Sequence, residues 1–593
     1  MTRDLADLGS RTIAAGPRPV YCVVASTHRR FDIADEVAEG LFSHCGVTLD
    51  LGVEPDWLDT ALPVDEEWRI EWSKFPWGLD LAHEYERSGK TRYLDAWQRL
   101  VASWIERVPA GHDTSDVAAR RLLSWIYAWN VFARSTAFRG LDNGLEAALV
   151  RSIGAQTTYI RGHLTPERNH RTLELYSLLV VALALPGLDP DGSLASFAME
   201  ELARNAEADL LPDGVHRELS THYHLIVLRS YLGAIENARL FGVELPEGFA
   251  ERVELACEFG AHCHRPDGEI PALSDADGGG YQDTILLAAD LFGREDFRWI
   301  ATAGAEGIPP EARSTSFPSG GYFVQRSGWG DGSTPFDEER FLIFDCGPVG
   351  DGGHGHYDAL SVEMAAGGRP LIVDPGRFTY SEEGPNWRRW FKGTAAHNTV
   401  TVDGLDQVVY RRGKPKDPLP ETRLLGQWSC PGLEIVAGAV MSACYDAVHR
   451  RRVAFVRDLY WLVEDVLEAP TPHWYDLRFH LAPDALGRLS LGARASGQSL
   501  IEVPGLGLVI DGADAVELEL GWLSRSYGHK GRAPIVNARA HGRTASFVTL
   551  VYPAAPGEEI PSLVVHRDAG AAEIVGTSGV VRDVIALDQV GVR

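Results

Sequence analysis

The chain has no excess of positive charge, no cysteine framework and no membrane-length apolar run near its start, and each lack removes a class of function. Its 593 residues carry 56 Lys and Arg against 83 Asp and Glu, a formal net charge of −27. Nucleic-acid binding needs a dense basic field, so that class is excluded. An anionic ligand would need a local basic cleft inside this acidic envelope. The seven cysteines (Cys22, Cys45, Cys257, Cys263, Cys346, Cys430, Cys444) are odd in number and scattered. That is no disulfide pattern, and it points to a reducing compartment. The opening residues lack an apolar h-region, and the apolar stretch from Tyr21 to Ala25 is strand-sized rather than membrane-sized. The expectation is a cytoplasmic protein with neither a membrane nor a nucleic-acid partner; a homodimer is left open.

What is present is a chain of ordinary globular composition, 45% hydrophobic and 23% charged, too long for one core. Between about 75 and 300 the apolar residues recur three and four apart, as in Trp77–Tyr85, Tyr93–Ile105, Ala118–Trp129, Leu173–Leu185, His224–Phe241 and Thr284–Phe292. Successive helices on short connections must bury their stripes against one another, and an incomplete α/α toroid would do so. The Pro-, Ser- and Gly-rich stretch from Gly307 to Gly321 reads as a linker. Beyond it come short β-prone runs, among them Tyr322–Arg326, Arg340–Phe344, Leu371–Asp374, Thr399–Val402, Leu459–Val466, Val516–Leu520 and Ser546–Tyr552. They suggest an antiparallel β-sandwich. The predicted fold is α+β and multidomain, with helices over 1–310 and strands over 311–593.

The densest chemistry is Gly350-Asp-Gly-Gly-His354-Gly-His356-Tyr-Asp358, followed by a Gly367-Gly368 turn, Asp374-Pro-Gly and then His397-Asn-Thr. In extended chain His354 and His356 share a face, and the hairpin returns Asp374 toward them. Two imidazoles and a carboxylate make the ligand set of a zinc site with one open position. In ideal hairpin register Asp374 falls opposite Ser361, so the glycine-rich stretch must curl inward. Solvated loop histidines are the competing reading.

With these segments in view, the chain resembles the heparinase II/III superfamily of polysaccharide lyases, which includes alginate lyases. The resemblance rests on Trp68 through Trp77, Ala118-Ala-Arg-Arg-Leu-Leu-Ser-Trp, Asn169-His170, Glu218-Leu-Ser-Thr-His-Tyr223-His224, Gly320-Gly-Tyr, Gly353-His-Gly-His, Val373-Asp-Pro-Gly and Ala396-His-Asn-Thr-Val. After about residue 450 only generic sandwich patterning remains. The resemblance implies a lyase that cleaves uronic-acid-containing glycans by β-elimination, leaving 4,5-unsaturated uronate ends. It implies that Asn169 and His170 contact the substrate carboxylate, that Tyr223 and His354 transfer protons, and that His356, Asp374 and His397 hold a zinc ion. The chemistry asks for such groups. Removing the C5 proton beside a charged carboxylate builds a dianion that needs hydrogen bonds, and the C4 oxygen needs a proton as it leaves. Which group is base and which is acid stays open.

Several residues carry plainer alternatives. Asn169 could cap a helix beginning near Arg171. Tyr223 could be an ordinary half-buried aromatic, and His224 more simply packs or hydrogen-bonds. Cys257, His262, Cys263 and His264 read as free thiols and histidines rather than a second metal site. Arg377, Arg388, Arg389 and Lys392, interleaved with Tyr380, Trp387, Trp390 and Phe391, form a basic aromatic patch suited to an anionic poly- or oligosaccharide. Arg377, Tyr380, Arg388 and Arg389 are the candidate substrate contacts. Arg411, Arg412, Lys414 and Lys416 read equally as a solvated loop. Two other functions compete. One is glycoside hydrolysis, using carboxylates such as Glu269, Asp275 and Asp277; the other is a non-catalytic or biosynthetic carbohydrate-binding protein.

Overall fold

The computed structural model describes residues 16–24, 30–59, 61–62, 65–351, 353–413, 415–494, 497–576 and 581–587. It divides into two compact units: Met1–Leu210 with Leu225–Leu255, and Leu211–His224 with Ala256–Arg593.

The first unit is helical. It contains α1 (Phe31–Glu39), the hairpin β1 (Leu41–His44) and β2 (Val47–Asp50), α2 (Glu66–Ser73), α3 (Trp77–Ser88), α4 (Thr91–Arg107), α5 (Ser115–Arg134), α6 (Asn143–Gly162), α7 (Arg168–Ala184), α8 (Ser193–Asp209) and all but the first turn of α9 (Thr221–Phe241). In α4 the buried residues are Tyr93, Leu94, Ala96, Trp97, Leu100, Val101 and Trp104, one apolar stripe on a polar helix. α5 and α7 are buried on nearly every side, as central helices must be. Asp65 caps α2 by accepting from the Glu67 amide. Trp57, Trp72, Phe75, Trp77, Trp104 and Trp125 form a continuous aromatic cluster, with Trp57 stacked on Trp72 at 4.4 Å. Residues 21 and 22 are irregular and 23 and 24 form a turn, with the Tyr21 amide donating to Asn237 Oδ1 at 2.8 Å; Ala25 lies outside the described residues.

The second unit carries α10 (Phe249–His262) from Ala256 on, α11 (Gln282–Phe292), α12 (Glu295–Ala301), α13 (Trp387–Lys392) and three antiparallel sheets. A five-stranded sheet runs in chain order through β3 (Thr315–Phe317), β4 (Tyr322–Arg326), β5 (Phe341–Asp345), β6 (Val362–Ala366) and β7 (Arg369–Ile372). The stretch read as a linker therefore contains an edge strand, Thr315 pairing with Val324. The large sheet is built from β8 (Val400–Val402), β9 (Glu421–Cys430), β10 (Leu433–Met441), β11 (Val448–Val456), β12 (Tyr460–His480), β13 (Ser490–Ala493), β14 (Ser499–Val503), β15 (Leu506–Asp511), β16 (Ala515–Ser526) and β17 (His529–Pro553). Its order is β13-β14-β15-β17-β12-β11-β10-β9, with β16 also on β17 and β8 also on β12. A small sheet of β18 (Ser562–His566), β19 (Ala571–Val575) and β20 (Val581–Ala586) completes the unit.

Alternation along β12 explains the layering. Trp461 and Val463 face a core shared with Phe323, Leu342, Phe344 and Met364 of the five-stranded sheet. Tyr460 and Leu462 point the other way, into a second core with Leu563, Ala572 and Ile574. The architecture is thus an N-terminal helical region followed by an antiparallel sandwich, the fold class expected from the sequence. Among the described residues no helix is long and apolar enough to cross a membrane.

Candidate active site and metal centre

One carboxylate organises the histidine-rich segment. Asp275 is fully buried; its Oδ2 accepts from His354 Nδ1 at 2.9 Å and its Oδ1 from His356 Nε2 at 2.9 Å. Arg388 spans both oxygens, one contact being 2.6 Å, and also donates to the Gly353 carbonyl at 3.0 Å. Burial alone would raise the Asp275 carboxyl. Arg388 and the two imidazoles instead hold it well below the usual range. A carboxylate on Nδ1 fixes a proton there, so neutral His354 presents its lone pair at Nε2. Lys392 adds a second cation on the Gly353 carbonyl at 2.7 Å, and burial pushes its ammonium down to about 7.

The Tyr223 ring stacks on His354, with centroids 3.8 Å apart and planes inclined by 23°. Its hydroxyl lies 2.7 Å from Tyr380 Oη and 3.5 Å from Arg377 Nη1. Arg377 is clamped by Asp277 through contacts of 2.9 and 2.6 Å, which leaves Nη1 to donate to Tyr380 Oη at 2.7 Å. Burial pushes the Tyr380 phenol well above its ordinary value despite Arg377, so it stays protonated. The Tyr380 oxygen therefore accepts from Arg377 while its own proton is available to Tyr223. A phenol and an imidazole nitrogen, both suited to moving protons, lie side by side.

The second cluster is His356, Asp374 and His397, all buried, with one donor atom from each within 4.8 Å of the others. Three observations suit a metal. His356 Nε2 is taken by Asp275, while its Nδ1 is buried without a hydrogen bond. His397 Nε2 faces the Phe391 carbonyl at 3.1 Å, so its Nδ1, 2.8 Å from Asp374 Oδ2, is the nitrogen turned toward the cluster. Burial lowers His356 to about 4, the neutral ligating form. The surroundings also call for positive charge. Asp345 and Asp358 are buried beside Asp374, and burial raises Asp358 to about 6; His397, which burial alone would lower, is raised to about 9 by Asp374 and Asp358.

Local backbone explains how the motif curls. A Cβ on Gly355 would lie 1.5 Å from the Val349 carbonyl oxygen, so only glycine fits between the two histidines. Gly376 adopts φ 71°, where a Cβ would meet the Ser524 carbonyl at 2.4 Å, which accounts for the Asp-Pro-Gly turn after Asp374. Leu219, Ser274, Leu360, Phe378 and Asn386 take left-handed conformations next to the site segments. Such strain concentrates where side chains must be aimed. β6 and β7 pair with a bulge at Met364/Ala365, and His356 reaches Asp374 from irregular chain rather than from a strand.

The remaining candidates fall as follows. Arg389 is exposed, its guanidinium 5.7 Å from the Tyr410 ring. Arg411, Arg412 and Lys416 are exposed, and Lys414 lies outside the described residues. Asn169 and His170 belong to the helical unit. Asn169 is buried in the first turn of α7, whose N-cap is Glu167, so it is not the cap; His170 Nδ1 is 3.5 Å from Asp116 Oδ2. His224 is structural, bonded to the Ala256 carbonyl and lowered to about 4 by burial. Cys257 and Cys263 are buried thiols that form no disulfide, and burial pushes the Cys263 thiol up to about 12. The carboxylates considered for hydrolysis are all engaged: Asp275 as above, Asp277 by Arg377, and Glu269 by Arg265 and Arg525. Sequence reasoning missed Asp275 and Asp277 as positioning groups. Their Ser274-Asp-Ala-Asp-Gly run looks like an ordinary turn, and only the fold brings it to the histidines.

Comparison with known proteins agrees with this architecture. The family profile for the heparinase II/III N-terminus matches residues 28–296, and the heparinase II/III-like C-terminal profile matches 309–574. A heparin-sulfate lyase of Bacteroides stercoris is 24% identical over 470 residues, covering 73% of this chain and 67% of the relative. One from Pedobacter heparinus is 23% identical over 550 residues, covering 88% and 79%. A crystal structure of heparinase III superposes with a TM-score of 0.79 at 16% identity, covering 98% of this chain and 93% of that one. A mutant heparan sulfate lyase from Pedobacter heparinus gives 0.69 at 20% identity, covering 99% and 94%. The class these matches define is that of polysaccharide lyases. Within it, the chain belongs to the heparinase II/III superfamily.

Proposed function

We propose that the chain cleaves uronic-acid-containing poly- or oligosaccharides by β-elimination, leaving 4,5-unsaturated uronate ends, with an anionic glycan of the heparan type as substrate. The observation that carries this reading is the Tyr223–His354 stack, with Arg377 and Tyr380 on the phenol and Asp275 on the imidazole. In the reaction the C5–H bond breaks, its electrons form the C4–C5 double bond, and the C4–O bond breaks as a proton reaches the leaving oxygen. Tyr223 Oη and His354 Nε2 are the two groups assigned to those proton transfers. Asn169 and His170 are assigned to the uronate carboxylate, where an amide and an imidazole would stabilise the developing charge. His356, Asp374 and His397 would hold zinc, whose nitrogen and oxygen donor preference they match. Bound there it would supply fixed positive charge among the buried carboxylates and order the loop that carries His354.

The test is a screen of uronate polymers and short oligosaccharides for the ultraviolet absorbance of the conjugated uronate. Reducing ends released without that chromophore would favour hydrolysis, which the engaged carboxylates already disfavour. Binding with no turnover of any substrate would favour a non-catalytic carbohydrate-binding role.

A further inference from the structure

The three candidate metal ligands sit on irregular chain: His356 in the loop before β6, Asp374 just beyond β7 and His397 just ahead of β8. No strand ladder fixes their spacing. Buried backbone outside a ladder must be paired by side chains, and residues at and after His397 do much of it. Thr399 Oγ1 donates to the Ala359 carbonyl at 2.9 Å. Gln407 grips the same residue twice, accepting from its amide at 2.9 Å and donating to its carbonyl at 3.1 Å.

Asn398, the middle residue of His397-Asn-Thr, has no part in the steps above, yet it is fully buried and its side-chain amide is fully used. Its Nδ2 donates to two carbonyls, Val362 at 2.8 Å and Val373 at 2.9 Å, while its Oδ1 accepts from the His480 amide at 2.6 Å. Two acceptors on one side and a backbone donor on the other admit only this orientation of the amide. Its own main-chain N–H donates to Ser361 Oγ at 3.1 Å. Its carbonyl accepts from Arg451 Nη1, which also holds the Leu360 carbonyl at 2.7 Å. Arg451 on β11 stands directly across from Asp465 on β12, which takes its Nε at 2.7 Å and Nη2 at 3.2 Å. The guanidinium charge is therefore balanced locally, and what reaches the loops is a fixed pair of N–H directions. The Val373 carbonyl belongs to the peptide plane that carries the Asp374 N–H. Asn398 is thus joined covalently to one ligand, by a hydrogen bond to the plane entering the second, and through Arg451 to the loop carrying the third.

We propose that Asn398 is the positioning residue of the His356–Asp374–His397 centre, holding the three donors at their spacing before a metal ion arrives. The inference rests on the metal reading of that cluster and is independent of the lyase reading. The probes are zinc and cobalt ions alone. Full-length parent, Asn398→Ala, Asn398→Ser and Arg451→Lys are stripped with a chelator and titrated with zinc against a chromophoric chelator. Their cobalt-loaded forms are then compared by visible absorption. Losing an outer partner of this kind should weaken metal affinity about 10–100-fold and change the cobalt spectrum, with Asn398→Ser, which keeps one donor, in between. Arg451→Lys keeps a cation beside Asp465 without the rigid fork, and it reports even if Asn398→Ala does not fold. Val551→Ala is the control: it lies in the same core but pairs with Trp461 and Leu508 rather than with these segments. It should lower the thermal transition and leave metal affinity and spectrum at parental values. Parental affinity and spectrum in the folded Asn398 and Arg451 variants, or the same losses in Val551→Ala, overturn the proposal. A parent that takes up neither ion overturns the metal reading and this inference together. Asn398-dependent metal binding in a parent that makes no unsaturated product leaves the inference standing and overturns the lyase reading instead.

Discussion

Asp275→Asn separates the two tasks that one carboxylate performs. The amide keeps the side chain's shape but offers one acceptor oxygen and one NH₂ donor, where Asp275 accepts from His354, His356 and Arg388. If the NH₂ faces His354, the ring must accept at Nδ1 and carry its proton on Nε2, so the lone pair assigned to proton transfer is lost. Turnover should then fall by about 10²–10⁴ with metal retained. If the NH₂ faces His356, the proton moves to Nδ1, that nitrogen can no longer ligate, and metal is lost instead. In either orientation Arg388, whose side chain is 10% exposed, loses a buried counter-charge. Breaking such a pair costs about 3–5 kcal/mol. The assay combines kcat and KM on a uronate oligosaccharide, metal stoichiometry by mass spectrometry, and the thermal transition. A variant with parental kcat, parental metal content and an unchanged transition would refute the idea that Asp275 sets both histidines.

Further perturbations probe other parts of the molecule. Tyr223→Phe should abolish turnover while keeping affinity within a few-fold, since it removes a proton rather than a contact; a near-normal rate rules Tyr223 out. Alanine at His356 or Asp374 should lower metal content and thermal stability together, and metal-free parent protein by elemental analysis would end the zinc assignment. Gly355→Ala should displace the His354–His356 segment, because its Cβ would collide with the Val349 carbonyl; activity and metal content equal to the parent's would contradict that geometry. His473 carries carboxylates on both nitrogens, Asp403 at 2.7 Å and Asp446 at 2.6 Å, and its pKa is raised, the Asp403 hydrogen bond being the main cause. Its stabilisation is fully present below the ordinary histidine value of 6.5 and fades as pH climbs through the raised folded value. His473→Gln should therefore cost more stability at pH 6 than at pH 8.5, measured by urea denaturation; an equal cost at both would show that the charge is irrelevant.

Much of the fold was legible because its periods are strong. The 3.6-residue spacing in α4 and the alternation in β12 are set by burial on one face or on opposite faces. α2, α6, α8 and α10 were not singled out. α6 contains Gly154, Thr157 and Thr158 within its length, residues that weaken a helical pattern. Of the site, the segments that carry chemistry stood out as motifs, but their partners did not. Tyr380 and Arg377 were grouped with substrate contacts, whereas the structure spends Arg377 on Asp277 and on the two phenols. Arg388, read the same way, is turned onto Asp275. The pairings with Asp277, Tyr223 and Asp275 span 100 or more residues, and local spacing holds no information about them.

The sharing of a single carboxylate by two imidazoles has a genetic consequence. Substitutions at His354 and His356 should not behave as independent lesions, because each one also changes what the other is bonded to. Neighbours in one network routinely depart from additivity by an amount comparable to their single effects. A library that varies the Gly-His-Gly-His segment one codon at a time would misjudge it, and compensating changes would have to be sought in pairs that include position 275.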